Sequence, residues 1–252
     1  MYRHYRRQVI LLLDEYDAPI QQAWENGFYR ECISFMKQFM GSVLKGNDTL
    51  DFAVMTGVLR VAKESIFSDL NNLDVCSVLS QSYSSVIGFT RDEVAKMALD
   101  LGQEDKLLVL QQWYDGYHFG KDEIYNPWSV INFFKEGQIG DYRVNTSGNG
   151  IIRLLLQQIQ PETRENLFHL LQGGHVTALI REGVIYEDIG QDEDALYTLL
   201  LTTGYLTAIS TRRGIGGLYC ELAIPNREVE DIYRFEILDH LPMPLPKTPQ
   251  KP

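Results

Sequence analysis

Two short apolar runs near the amino terminus predict strands, with a helix between them. Residues 8–13 (Gln-Val-Ile-Leu-Leu-Leu) are continuously apolar after the glutamine, which is typical of a strand that is buried on both faces. Apolar residues then recur at helical spacing from Phe28 to about Leu44, and a second apolar run covers 50–56. A strand–helix–strand order with buried strands predicts a parallel sheet.

The pattern becomes mainly helical from about residue 90. A third short strand is expected over 86–89, and Thr90 and Glu93 fit a capping box at the start of the first helix that follows it. Helical spacing then recurs in several stretches, which are about 91–101, 104–113, 128–136, 148–159, 162–171 and 192–203.

A β-hairpin and one more helix follow these helices. The segments 205–211 and 218–223 flank a glycine-rich turn and predict the hairpin, and an amphipathic helix is expected over 226–241. We therefore divide the chain into a strand-containing domain, 1–89, a mainly helical domain, 90–241, and a proline-rich tail, 242–252.

Composition and charge exclude several classes of protein. The chain has 252 residues, with 23 Lys and Arg against 34 Asp and Glu, so the net charge is −11. Such a charge argues against non-specific nucleic-acid binding through the bulk surface. The longest apolar run is residues 9–13, too short for a membrane helix. Three widely spaced cysteines favour free thiols in the cytoplasm.

An acidic cluster carries the most informative chemistry. The first strand ends at Asp14 and Glu15, and the second ends at Thr56 with Arg60 shortly after it. Acids at the carboxyl end of a buried parallel strand can bind hydrated Mg²⁺ and polarise water, while Arg60 could stabilise a developing phosphate charge. Two plainer interpretations stay open: acids also favour helix N-termini, and Thr56-Gly57 also suits a simple turn.

The order of motifs along residues 8–240 resembles one family. The chain resembles the AAA-ATPase-like domain that usually precedes a PD-(D/E)XK nuclease-like domain in bacterial proteins. The matching segments are 11–17 (Leu-Leu-Leu-Asp-Glu-Tyr-Asp), 55–73, 88–94, 114–120 (Tyr-Asp-Gly-Tyr-His-Phe-Gly), 125–129 (Tyr-Asn-Pro-Trp-Ser), 145–149, 203–207 and 224–229. A Tyr-Trp pair expected before 145–149 is replaced here by Tyr142-Arg143.

The resemblance implies a fold and a set of roles. The fold is α/β: a partial P-loop NTPase parallel sheet followed by a mainly helical lid with a winged-helix-like hairpin. The implied cofactors are Mg²⁺ and ATP. Asp14 matches the metal-binding acid of the Walker B motif and Glu15 the acid that acts on water. Thr56 matches a sensor-1 residue, and Arg60 lies in the matching Gly-Val-x-Arg segment.

The phosphate-binding motif of that family is missing. A P-loop needs the pattern GxxxxGK[ST], and no glycine in this sequence begins one. The closest segment, 41–46, lacks the Gly-Lys-Ser/Thr order and lies in a predicted helix. We therefore expect a fragment or truncated form of a longer protein, which binds ATP weakly or not at all and does not hydrolyse it appreciably.

Two other functions remain open from the sequence. The first is a non-catalytic interaction module that keeps the fold without nucleotide chemistry. The second is a nucleic-acid-binding winged-helix unit, in which Arg212 and Arg213 at the hairpin contact phosphates; an exposed solubilising turn explains the same residues. Nucleic acid and a nuclease-like domain of the parent protein are thus the candidate partners, and no membrane is expected.

Overall fold

The computed structural model of the chain describes residues 2–58, 66–67, 70, 73–143, 159–181, 183 and 192–235. These residues form a mixed structure of helices and small sheets. They group into two compact units, Met1–Val75 with Ile180–Thr202, and Cys76–Leu179 with Thr203–Pro252. The domain boundary expected near residue 90 stays a prediction.

The first unit contains the strand–helix–strand segment that the sequence predicts. Strands β1 (Val9–Leu13) and β2 (Leu50–Met55) pair in parallel, with Leu11 opposite Ala53 and Leu13 opposite Met55. The described elements of this unit are α1 (Tyr2–Tyr5), β1 (Val9–Leu13), α2 (Ala18–Glu25), α3 (Tyr29–Leu44), β2 (Leu50–Met55) and, from the later segment, α8 (Glu193–Thr202).

Helices α2 and α3 form where the sequence provides a start signal and an apolar stripe. Pro19 lies in the first turn of α2, where its missing N–H leaves no helical hydrogen bond unmade. Helix α3 buries Ile33, Met36 and Met40, which are spaced by three and four residues and therefore share one face. The two helices pack against each other through their buried faces.

The expectation that the first strand is buried on both faces is wrong. Ile10 and Leu12 are 60% and 74% exposed, and their register neighbours Phe52 and Val54 are 61% and 42% exposed. Paired residues of a sheet point to the same side, so these four side chains form one apolar face. Among the described residues no second layer covers that face. The continuous apolar run of β1 is typical of a strand covered on both faces, but this strand is covered on one face only.

The second unit combines helices with two small antiparallel sheets. One sheet has the strand order β3 (Phe89–Thr90), β5 (Asp122–Tyr125) and β4 (Tyr117–Phe119), and the other has the order β6 (Val176–Ile180), β8 (Gly217–Ala223) and β7 (Thr207–Gly214). The described helices of this unit are α4 (Arg91–Asp100), a 3₁₀ turn (Glu104–Lys106), α5 (Leu107–Tyr114), α6 (Pro127–Glu136), α7 (Pro161–Leu171) and α9 (Arg227–Tyr233).

Most local predictions for the second unit agree with this structure. The Thr90–Glu93 capping box is present, with both of its reciprocal hydrogen bonds. The third strand was predicted over 86–89, which is wrong: only Phe89 and Thr90 pair, and they pair antiparallel with β5. Three predicted segments lie mostly or wholly outside the described residues: the helix over 148–159, the last part of the helix over 226–241, and the tail 242–252.

The core of the second unit is built from α4, α5, α6 and β5. Its fully buried members include Val94, Leu110, Tyr114, Val130 and Phe133. In the part of the chain that the structure describes, no helix is both long enough and apolar enough to cross a membrane.

Candidate functional site

The two strands of the first unit end side by side. The backbone N–H of Thr56 donates to the Leu13 carbonyl at 2.9 Å, and the N–H of Tyr16 donates to the Thr56 carbonyl at 3.0 Å. The parallel hydrogen-bond ladder therefore continues past the ends of β1 and β2. The loops that follow the two strands start at the same edge of the sheet, where ligands bind in open α/β folds.

Side-chain hydrogen bonds join the predicted site residues across this edge. The Thr56 hydroxyl donates to a carboxylate oxygen of Asp14. The same hydroxyl accepts from the backbone N–H of Glu15 at 3.1 Å. Asp14, Glu15 and Thr56 are all exposed. The structure thus brings three of the four predicted residues together, while their catalytic roles stay predictions; Arg60 lies outside the described residues.

The backbone at Glu15 adopts an unusual conformation. Its φ is +50°, in the left-handed region that residues other than glycine rarely adopt. The Glu15 carbonyl then accepts from Ala18 N–H at 3.0 Å, which closes a tight turn before α2. A residue other than glycine in this conformation lowers the stability of the folded state by roughly 1–2 kcal/mol, so the surrounding hydrogen bonds must hold the turn in place.

Asp17 is a residue that the sequence reasoning did not single out. It is 4% exposed, and its carboxylate accepts from the backbone N–H of Val58 at 2.9 Å. A Cβ on Gly57 would lie 2.6 Å from a ring carbon of Tyr16 and 2.8 Å from an oxygen of Asp17, so only glycine fits there. Asp17 thereby ties the loop after β2 to the loop after β1; its place within an acidic run gave no signal that it is buried.

The helix N-terminus does not explain Asp14 or Glu15. The residue at the N-cap position of α2 is Asp17, and its side chain makes no capping hydrogen bond to the first turn. Asp14 precedes that position by three residues, and its carboxylate is engaged by Thr56. The geometry therefore distinguishes an outward acid pair at the strand end from an inward acid that joins the loops.

The residues at the strand ends fit a hydrated magnesium ion. Mg²⁺ is usually held by one or two carboxylates and keeps several waters, and the exposed Asp14 carboxylate beside a hydroxyl offers such ligands. Within the described ranges no group of three or more His, Cys, Asp or Glu residues could hold a metal. The sequence has no P-loop pattern, so these residues offer no familiar cradle for the phosphates of ATP.

A second carboxylate, Glu228 in the other unit, is fully buried. The Ser129 hydroxyl donates to it at 2.8 Å, and the backbone N–H of Arg143 donates at 3.1 Å. Burial raises the pKa of the Glu228 carboxyl to about 6, although both hydrogen bonds act to lower that pKa. Its helical position in a polar segment gave no sequence signal of burial.

The Arg143 side chain fills a slot between two tyrosine rings. Its guanidinium lies 5.9 Å from the Tyr117 ring centre and 5.4 Å from that of Tyr205. It also donates to the Tyr117 hydroxyl at 2.7 Å and to the carbonyls of Thr203 and Gly204. A flat guanidinium can stack on aromatic faces, so Arg143 packs against the two rings as well as donating hydrogen bonds.

Comparisons with known proteins bear on the first unit above all. A family model described as a predicted AAA-ATPase matches residues 1–67. Residues 1–67 are therefore similar in sequence to that family. This segment contains β1, β2 and the Asp14–Thr56 pair, so the family match and the strand-end geometry fall on the same residues.

One relative extends the similarity along the rest of the chain. It is a protein of Azotobacter chroococcum mcd 1, described as an uncharacterized protein in the vnfD 5′ region, and it is 29% identical over 240 residues. The match covers 94% of this chain and 44% of the relative. The chain therefore spans less than half the length of that protein.

Proposed function

We propose that the first unit carries the metal-binding and water-activating acids of a nucleoside-triphosphatase. Asp14 holds Mg²⁺, Glu15 acts on the attacking water, and Thr56 orients both through its hydroxyl. The observation that carries this proposal is the hydrogen bond from Thr56 to Asp14 across adjacent strand ends. The match of residues 1–67 to the AAA-ATPase-like model supports it. Arg60 stabilises phosphate charge in this scheme, as the resemblance implies.

These 252 residues alone neither bind nor hydrolyse ATP in this proposal. Exposed carboxylates repel a triphosphate unless backbone amides and a lysine neutralise it, and the P-loop pattern that supplies both is absent. Polypeptide outside the 252 residues supplies that part, and the greater length of the Azotobacter relative supports this view. Residues 90–241 act as a lid in this proposal, and the β7–β8 hairpin in the sheet β6-β8-β7 is the winged-helix-like feature of that lid.

Calorimetric titration with Mg-ATP tests the proposal. We expect no binding at micromolar concentrations and no phosphate release above the uncatalysed background for the wild-type chain. Micromolar affinity would contradict the proposed absence of a phosphate cradle. If such affinity appeared, Asp14→Asn should abolish it and Asp51→Asn, an exposed acid near the other end of β2, should not; equal behaviour of the two variants would remove Asp14 from the site.

A non-catalytic interaction module is the second candidate, and the exposed apolar face of β1 and β2 favours it. Four large side chains on one side of a small sheet form a surface that suits the apolar face of another polypeptide. Sedimentation velocity on the wild type and on Leu12→Ser/Phe52→Ser distinguishes the candidates. Self-association lost in the double variant and retained in Phe35→Ser, an exposed residue on α3, would favour the interaction module.

A further inference from the structure

The β7–β8 hairpin presents an isoleucine at its tip. The strands pair in register up to Gly214 and Gly217, which leaves Ile215 and Gly216 as a two-residue loop. Ile215 is 99% exposed, and Gly216 has a φ of +100°, which requires glycine. Turn tips favour small polar residues, so a bare β-branched apolar side chain is unexpected in a turn that serves only solubility.

The tip is braced by one aromatic side chain. The Tyr219 hydroxyl donates to the Ile215 carbonyl at 3.0 Å, and the Arg212 guanidinium lies 5.2 Å from the Tyr219 ring centre. A Cβ on Gly214 would lie 3.1 Å from the same ring, so the absence of a side chain at position 214 leaves room for the Tyr219 ring. The loop and Arg212 are therefore held in a defined arrangement before any partner arrives.

The distal hairpin is also locally basic in an acidic chain. Residues 211–220 contain Arg212 and Arg213 and no acidic residue, whereas the whole chain carries a net charge of −11. Both arginines are exposed, and no acidic residue among those the structure describes forms an ion pair with either. Because successive strand residues point to opposite faces, the two guanidinium groups flank the ribbon on its two sides.

We propose that this hairpin tip docks into the minor groove of duplex DNA. Arg212 and Arg213 reach the phosphate backbones on the two sides of the groove, and Ile215 enters between them as an apolar wedge at a base step. Two cations beside an exposed apolar tip complement the negative charge of such a groove, whereas an uncharged apolar protein surface would leave them without partners. Helix α8 does not compete for this role, because its residues 195–201 are all buried and its first turn is acidic.

Fluorescence anisotropy with a fluorescein-labelled 20-base-pair duplex and the full chain tests the proposal. We expect binding at low salt that Arg212→Gln/Arg213→Gln weakens on the order of tenfold, with a salt slope reduced by about two. The matched control, Arg30→Gln/Lys45→Gln, makes the same charge change at exposed positions of the other unit and should keep wild-type affinity. Equal losses in the two double variants, or no salt-sensitive binding by the wild type, would overturn the proposal.

The wedge has a test of its own. Ile215→Asn places a residue that turns favour at the tip, so the variant should fold normally by circular dichroism. It should bind the duplex severalfold more weakly, with an unchanged salt slope. A 2-aminopurine placed at a TA step should brighten with the wild type and not with this variant. Wild-type behaviour of Ile215→Asn in both measurements would overturn the wedge, as would binding to anionic vesicles without binding to the duplex.

Discussion

Asp14 and Glu228 are both carboxylates that accept a hydroxyl hydrogen bond, yet their surroundings differ in almost every other respect. Asp14 is exposed at a strand end and accepts from Thr56. Glu228 is fully buried and accepts from both the Ser129 side chain and the Arg143 backbone. Burial raises the pKa of the Glu228 carboxyl to about 6.

This difference separates a carboxylate that holds structure from one that is available for chemistry. A buried carboxylate must accept hydrogen bonds, and removing it leaves buried donors unsatisfied at a cost in stability. An exposed carboxylate at a sheet edge contributes little to stability and can still exchange water for a metal ion. Glu228 therefore belongs to the framework of the second unit, and Asp14 to a surface on which ligands can act.

Removal of the Glu228 side chain should have the largest effect. Glu228→Ala leaves the Ser129 hydroxyl and the Arg143 N–H without their acceptor and opens a cavity, so we expect a loss of about 3 kcal/mol in the free energy of unfolding. Urea denaturation measures it. Glu230→Ala, which removes the half-buried partner of Arg234 in a surface ion pair, should change the midpoint far less. Similar losses in both variants would contradict the contrast.

The pH dependence of stability should carry the signature of Glu228. Its pKa is about 6 when folded against 4.5 ordinarily, so the folded state holds the proton more tightly. Its stabilising contribution is complete below pH 4.5 and is lost as the pH rises through 6, a change of about 2 kcal/mol. Burial also raises the pKa of Asp115 and Asp141, so the comparison is made against Glu228→Gln. Identical pH profiles for the two proteins would contradict the prediction.

Asp17 should matter more to stability than its exposed neighbour Asp14. Asp17→Ala removes the buried carboxylate that accepts from Val58 N–H, so we expect a loss of about 1–2 kcal/mol in the free energy of unfolding and faster hydrogen exchange at residue 58. Asp14→Asn, which keeps an acceptor for Thr56, should change neither. A larger loss in Asp14→Asn than in Asp17→Ala would reverse the assignment of the two acids.

Relief of the positive φ at Glu15 should give the smallest effect, with the opposite sign. Glycine adopts φ +50° without steric cost, so Glu15→Gly should raise the free energy of unfolding by about 1 kcal/mol while it removes the carboxylate. Thermal denaturation detects this as a higher midpoint. Glu31→Gly, in the first turn of α3, serves as the control and should destabilise the protein. A lower midpoint for Glu15→Gly would show that its side chain, not its backbone, dominates at this position.

The sequence was sufficient where local signals and long-range order agreed. The parallel pairing of β1 with β2, the α3 stripe and the Thr90 capping box follow from periodicity and cap residues, which act over a few positions. The same reasoning missed the short strands β4 and β5, since their aromatic residues lie in a segment with a glycine at each turn. Strands of three and four residues carry too little alternation to stand out.

Within the site, the pattern located the acids but not their division of labour. Asp14 and Thr56 end neighbouring strands, and that position alone predicts that they lie close together. The burial of Asp17 and Glu228 depends on contacts with residues 41 and 99 positions away, Val58 and Ser129, which no local pattern encodes. The exposed apolar face of the sheet likewise depends on what covers the strands and not on the strands themselves.

The central claim is that Asp14 and Thr56 form a divalent-metal site at the ends of β1 and β2. Paramagnetic broadening of backbone amide signals during a Mn²⁺ titration tests it most directly. We expect selective broadening at residues 13–17 and 56–58 that Asp14→Asn abolishes and Asp51→Asn leaves intact. Broadening that is absent from these residues, or that persists unchanged in Asp14→Asn, would contradict it.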